Sequence, residues 1–256
     1  MTLALTDLPR DVQKAVAATR ERVAALHAEL PRNGLVVWTA GNVSERVPGT
    51  GTAESDPGTG EVPGLLVIKP SGVSYDVLSP EAMVVCTLDG RKIEDGTPDV
   101  LSPSSDTAAH AYVYAHMPQV GGVVHTHSTY ATAWAARAEE IPCVLTMMAD
   151  EFGGPIPVGP FAVIGDDSIG RGIVETLRDS RSRAVLMQNH GPFTIGKDAR
   201  DAVKAAVMCE EVARTVHVSR QLGEPLPIAQ TQVDSLFERY QNVYGQDPTD
   251  PERTGA

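Results

Sequence analysis

Val12, Val16, Val23, Leu26 and Leu30 recur at steps of three, four or seven residues, the spacing of one helical face, and predict a helix over residues 8 to 30. Asp7 stands where a cap would start it, and Pro31 with Gly34 would stop it. Apolar runs at Leu35 to Trp38, Leu65 to Ile68 and Val84 to Leu88 predict short strands, the last turning back through Asp89-Gly90, a tight-hairpin sequence. The pattern then reads as helix from Ser104 to His116, buried strand from Val120 to His127 and Ala-rich helix from Thr129 to Arg137. A further helix is predicted over Ile169 to Leu177, a strand over Ala184 to Met187, and a long helix over Asp198 to Gln221 carrying Ala202, Ala205, Ala206, Val212 and Val216. Strands and helices intermingle without a regular βαβ period or an internal repeat, which favours one three-layer α/β domain over a Rossmann or barrel array.

Residues 48–64 carry eight Gly or Pro in seventeen, which is loop chemistry. Only 47 residues precede them, too few for an independent core, so they are expected to form an excursion within a single domain over residues 1–246, followed by a flexible tail at 247–256. The 42% of apolar residues suffices for a sizeable core. Asp plus Glu outnumber Lys plus Arg by 33 to 21, and the net charge of −12 argues against nucleic acid or an anionic membrane as partner. Small anionic substrates stay open if basic groups and amides converge locally. Cys86, Cys143 and Cys209 are odd in number and far apart, so they read as buried apolar residues in a reducing compartment rather than a disulfide framework or zinc knuckle. Six mostly apolar residues before Asp7 are too few for a signal peptide or membrane span, and a cytoplasmic location is expected.

The chemistry concentrates at His125-Thr126-His127. A strand has a two-residue period, so both imidazoles share one face and make half of a transition-metal site. Two ordinary polar residues at a strand end would look the same, but His190 follows another apolar run, AVLMQNH, ahead of an expected Gly-Pro turn, and is a third candidate ligand. Asp106, in PSSD, fits two readings equally well: a fourth ligand or acid beside the metal, or a first-turn acid stabilised by the helix dipole. His27, His110, His116 and His217 lie on helical segments without a matching partner and read as surface or satisfied core residues. Three turns, Thr39 to Ser44, Lys69 to Ser74 and Pro103 to Ser105, offer the small residues, amides and hydroxyls that a phosphate needs. Singly each is ordinary turn chemistry. Together with Lys69 and a metal they point to a phosphorylated substrate.

The segments TAGNVSERV, LLVIKPSGVSYDVLSPEAMVV, PSSDTAAHAYVY, GGVVHTHSTYATAWA, QNHGPFTIGKDARDAV and the terminal YGQ follow one another from about residue 10 to Gln246. In this order they resemble the class II aldolase/adducin family, and within it the sugar-phosphate 4-epimerases. The resemblance implies an α/β/α fold with a central, largely antiparallel sheet, and a homotetramer with active sites between subunits. It makes His125, His127 and His190 the ligands of zinc, with manganese as an alternative, and puts Asp106 where the family's aldolases carry Glu and its epimerases Asp. Gly41, Asn42, Ser71, Gly72, Ser104 and Ser105 would cradle the phosphate, Lys69 would contact substrate oxygen, and Asp150 and Tyr244 would be the acid/base pair. The implied reaction interconverts L-ribulose 5-phosphate and D-xylulose 5-phosphate by retro-aldol cleavage and re-addition, without an organic cofactor.

Two departures stand out against the epimerase pattern. Met148 and Glu151 occupy the places of a His and an aromatic residue, and no His follows His217. An aldolase acting on a ketose 1-phosphate such as L-fuculose 1-phosphate is the alternative within the family, disfavoured by Asp106, Asp150 and Tyr244. A non-enzymatic, adducin-like interaction module is disfavoured by the three histidines. A cupin oxygenase shares the HxH pair but needs a Glu shortly after it, and STYATAW has none.

Overall fold

A computed structural model of the chain describes residues 3–52, 55 and 61–242. The amphipathic pattern forms helix α1, Arg10–His27, followed by the single turn α2, Glu29–Arg32. The break between them follows from Pro31, which has no N–H to give the carbonyl of His27. Asp7 does not cap α1. It ends a short 3₁₀ turn, and the helix starts after Pro9, whose ring fixes the entry φ at −52°.

The strand expected over Leu35 to Trp38 is absent. Its first residue closes α2 instead: Leu35 N donates to Leu30 O at 2.9 Å and Gly34 N to Pro31 O at 3.1 Å, around Gly34 at φ +66°. Trp38 then turns at φ +60° with its side chain exposed.

The sheet has seven strands: β1 Asn42–Arg46, β2 Leu65–Ile68, β3 Val84–Thr87, β4 Gly122–His125, β5 Val158–Gly159, β6 Ala184–Met187 and β7 Gly191–Gly196. Their order is β3-β2-β1-β4-β7-β6-β5, antiparallel throughout except for the β5–β6 pair. Strand alternation buries both faces. Leu66, Ile68, Val123 and Phe193 meet α3, Thr107–His116, and α6, Ser168–Leu177. Leu65, Val67, Val43 and Val124 meet α1 and α7, Ala199–Leu222. Further along that second face, Ala184 and Leu186 meet α4, Thr129–Ala136, α5, Thr146–Phe152, and the middle of α7. Helix α8, Gln230–Asn242, packs on α5. The result is a three-layer α/β/α architecture around a largely antiparallel sheet, in which each fully buried Val, Leu or Ile contributes about 1.5–3 kcal/mol.

Several boundaries differ from the sequence reading. β4 stops at His125, so His127 lies just past the strand. α3 begins at Thr107, leaving Ser104 to Asp106 as its entry turn. Gly191-Pro192 is no turn: it opens β7, and the chain reverses through Gln188 to His190 with Asn189 at φ +57°. Cys86 and Cys209 are buried and Cys143 half-buried, all as free thiols. Of the Gly/Pro-rich stretch, residues 53–54 and 56–60 lie outside the described residues, as do Tyr244 and the tail at 247–256. Among the described residues, no helix is long and apolar enough to cross a membrane.

Candidate active site

Glycine sets the frame of the site. A Cβ at Gly122 would strike the carbonyl of Asp198, so only glycine lets the start of α7 press on the start of β4. At the other end of β4, His125 is 1% exposed and its ring stacks on Phe193, its register partner on β7, with centroids 4.1 Å apart. His125 Nδ1 lies 3.1 Å from the Pro192 carbonyl, which can only accept, so Nδ1 carries the proton and Nε2 presents a lone pair. His127, exposed and two residues on, brings its Nε2 to 3.0 Å from that of His125. His190, in the β6–β7 turn, completes the cluster with ring centroids 4.5 Å from His125 and 5.3 Å from His127.

One ligand nitrogen from each ring lies within 4.8 Å of the others. Burial pushes the pKa of His125 down to about 3 and lowers those of His127 and His190, so the imidazoles are neutral at neutral pH. Both ring nitrogens of His190 are buried without a hydrogen-bond partner among the described residues. Leaving such atoms unsatisfied costs about 1–3 kcal/mol each. A divalent cation taking the lone pair of one ring nitrogen from each of three neutral imidazoles removes that cost for one nitrogen of His190, so the residues fit a metal.

Asp106 sits at the N-cap position of α3 but makes no capping hydrogen bond. Its Oδ2 accepts from Asn42 Nδ2 at 2.7 Å, and its buried Oδ1 has no partner among the described residues. Burial alone would push this carboxyl up, but His125, His110, the Asn42 hydrogen bond and His190 together hold it below the usual range. Both sequence readings of Asp106 stand, since it occupies the N-cap position of α3 and also feels the charge of the histidines.

The three polar turns converge. Asn42 Nδ2 also donates to Ser104 Oγ at 3.0 Å. Pro70 and Pro103 form a bridge flanked by Ser71 N to Ser102 O at 2.9 Å and Ser104 N to Lys69 O at 3.0 Å, which lays the exit of β2 along the entry of α3. Ser71, Gly72 and Ser105 are exposed on this ledge. Gly41, at φ +78°, lies too close to Val36 and the His125 carbonyl for a Cβ. Tyr75 OH donates to the carbonyls of Ala40 and Gly41 at 2.8 and 3.1 Å and ties the first turn down. Lys69 is 2% exposed, its Nζ held by the carbonyls of Thr39 and Pro70 at 3.2 and 3.3 Å, and burial lowers its pKa to about 8. No acid pairs with it among the described residues.

Asp150 comes from a different helix. It lies on α5 with Oδ1 buried and unpartnered among the described residues, and burial raises its pKa, opposed by Arg239 of α8 and aided by Glu151. Neither hydrogen bond nor ion pair joins it to the histidines among the described residues. His27 proves to be a satisfied core residue, with Nδ1 on Val23 O at 2.7 Å and Nε2 accepting from Val43 N at 3.0 Å. The sequence reading missed Pro192, Phe193 and Tyr75, which hold the site residues in place. The antiparallel pairing of HTH with GPF would have revealed the first two.

Residues 21–217 match the family model described as the class II aldolase and adducin N-terminal domain. L-ribulose-5-phosphate 4-epimerase UlaF of Salmonella paratyphi C (strain RKS4594) is 40% identical over 234 residues, spanning 86% of this chain and 93% of that protein. Among solved structures, an L-fuculose 1-phosphate aldolase superposes with a TM-score of 0.73 at 22% identity, covering 91% of this chain and 98% of its own. The L-fuculose-1-phosphate aldolase from Thermus thermophilus gives a TM-score of 0.63 at 23% identity, covering 83% and 99%. At these identities the two structural matches speak to the fold alone.

Proposed function

Because this chain belongs to the class II aldolase and adducin family, we propose that it is a metal-dependent 4-epimerase interconverting L-ribulose 5-phosphate and D-xylulose 5-phosphate. The observation that carries this reading is the 40% identity, over 86% of the chain, to a protein named for that activity. The C3–C4 bond breaks to give an aldehyde phosphate and a three-carbon enediolate. Re-addition to the other aldehyde face inverts C4, so atoms and charge balance over the cycle.

His125, His127 and His190 would hold the ion, with Asp106 as a further ligand or acid beside them. Three neutral imidazoles suit zinc, with manganese as the alternative. When bound, the ion supplies Lewis-acid polarisation of substrate oxygens. Pro192 and Phe193 fix the tautomer and ring plane of His125, and Asn42 aims Asp106. Gly41, Asn42, Ser71, Gly72, Ser104 and Ser105 bind the phosphate, while Lys69 brings a positive charge to a substrate oxygen. Asp150 and Tyr244 exchange the proton at the C4 oxygen from opposite faces, help worth about 10²–10⁴ in rate. Since nothing links Asp150 to the histidines within the described residues of one chain, we assign the completion of each site to a neighbouring copy in a homotetramer. No organic cofactor takes part.

The test is direct. Purified, metal-loaded protein incubated with L-ribulose 5-phosphate should form D-xylulose 5-phosphate. Release of dihydroxyacetone phosphate from L-fuculose 1-phosphate, with no epimerisation, would make it an aldolase instead.

A further inference from the structure

Behind Asp150 lies a charged cluster that the proposed chemistry leaves unused. Glu151, which stands where the resemblance places an aromatic residue, is 1% exposed. Lys204 Nζ of α7 reaches its Oε2 at 2.8 Å, and Arg183 Nη1, just ahead of β6, stands 4.0 Å from its Oε1. Neither oxygen accepts a well-directed hydrogen bond among the described residues, so charge rather than bond geometry holds the carboxylate. Both cations reach on to the end of α8. Lys204 Nζ sits 5.0 Å from the centre of the Tyr240 ring, and Arg183 donates to Gln241 Oε1 at 3.1 Å while Nη1 contacts both carboxylate oxygens of Asp201 at 2.7 Å.

Burying such a network contributes little to stability compared with an apolar plug of the same shape, so its worth lies in what it orients. Two things depend on it. Asp150 precedes Glu151 directly, and Tyr240 and Gln241 come only four and three residues before Tyr244. We propose that Glu151 is a positioning residue, which through Lys204 and Arg183 locks α5 to the end of α8 and so sets the placement of Asp150 and the point from which the chain runs on to Tyr244. This rests on the epimerase reading of those two residues. The charged groups acting on Asp150 are Glu151 on its own helix and Arg239 on α8, while Lys204 on α7 and Arg183 before β6 face Glu151. The negative charge of Glu151 raises the Asp150 carboxyl, so removing it should lower that carboxyl.

Glu151→Gln and Lys204→Gln, compared with wild type and Asp150→Asn, test this through turnover of L-ribulose 5-phosphate, metal content and amide exchange at the end of α8. Both variants are expected to keep their metal and a KM close to wild type. Their kcat should fall by about tenfold to a hundredfold, the scale set by ångström-level misplacement of a catalytic group. Exchange at the end of α8 should rise in both, and the acid limb of the Glu151→Gln pH–rate profile should move to lower pH. Wild-type kcat and an unchanged acid limb in Glu151→Gln, with Asp150→Asn inactive, would overturn the inference and leave the reading of Asp150 standing. Normal turnover in Asp150→Asn would overturn that reading itself. If Glu151→Gln does not fold, Lys204→Gln decides, since its side chain is 43% exposed. Lower kcat at constant KM then supports the lock, and wild-type kcat contradicts it.

Discussion

His127 is the exposed member of the histidine cluster, so His127→Ala should remove a metal ligand without disturbing the core. Affinity for zinc is expected to fall by at least the roughly 10–100-fold that loss of a supporting residue alone costs. Metal analysis after dialysis checks this, and full, tight occupancy would remove His127 from the site. Ser71 and Ser105 are exposed on the ledge between β2 and α3. A hydrogen bond to a charged group contributes about 1.5–3 kcal/mol, so Ser71→Ala and Ser105→Ala should each raise KM for L-ribulose 5-phosphate about tenfold or more. An unchanged KM would place the phosphate elsewhere. At this scale the HTH pair and His190 were legible, because strand period and chain reversal are local rules. Pro192 and Phe193 were not, since what they do for His125 depends on a pairing across 67 residues of chain. Asp106 stays open between its two readings, since it stands at the N-cap position of α3 and yet makes no capping hydrogen bond.

Helices α1 and α7 could be read because an amphipathic or Ala-rich face repeats over many turns. The run Leu35 to Trp38 misled for the opposite reason: four residues of strand composition are too few to outweigh the closing hydrogen bonds of α2. β5 is only two residues long and carries no periodic signal. One contact between elements makes a prediction about acid stability. His27 couples α1 to β1 through Val43 N, and its burial holds its pKa at about 3 against 6.5 for the free side chain. His110 is likewise held at about 4. Between these values and 6.5 the unfolded chain binds protons that the folded one does not. Stability is therefore complete above that upper value and is lost as pH falls, by up to about 1.4 kcal/mol per pH unit for each histidine. Urea titrations of His27→Leu should show lower stability at neutral pH, because Val43 N loses its acceptor, and a shallower decline towards acid. An unaltered acid slope would mean that His27 is not held neutral.

Taken as a whole, the molecule carries a net charge of −12 and yet gathers a buried Lys69, the Ser71 and Ser105 hydroxyls and three neutral imidazoles near one end of its central strands. That contrast of global and local electrostatics suits a small phosphorylated substrate better than a polyanion. The fold class followed from intermixed strands and helices and from the family likeness, whereas the lack of a hydrogen bond or ion pair from Asp150 to the histidines among the described residues could only be seen in three dimensions. The most direct test of the central claim follows the conversion of L-ribulose 5-phosphate to D-xylulose 5-phosphate in one sample, before chelation, after chelation and after zinc is restored. The account predicts epimerisation that is lost with the metal and returns with it, at constant fold by circular dichroism. Epimerisation that survives complete metal removal would contradict it, as would a metal-loaded protein that leaves the substrate unchanged.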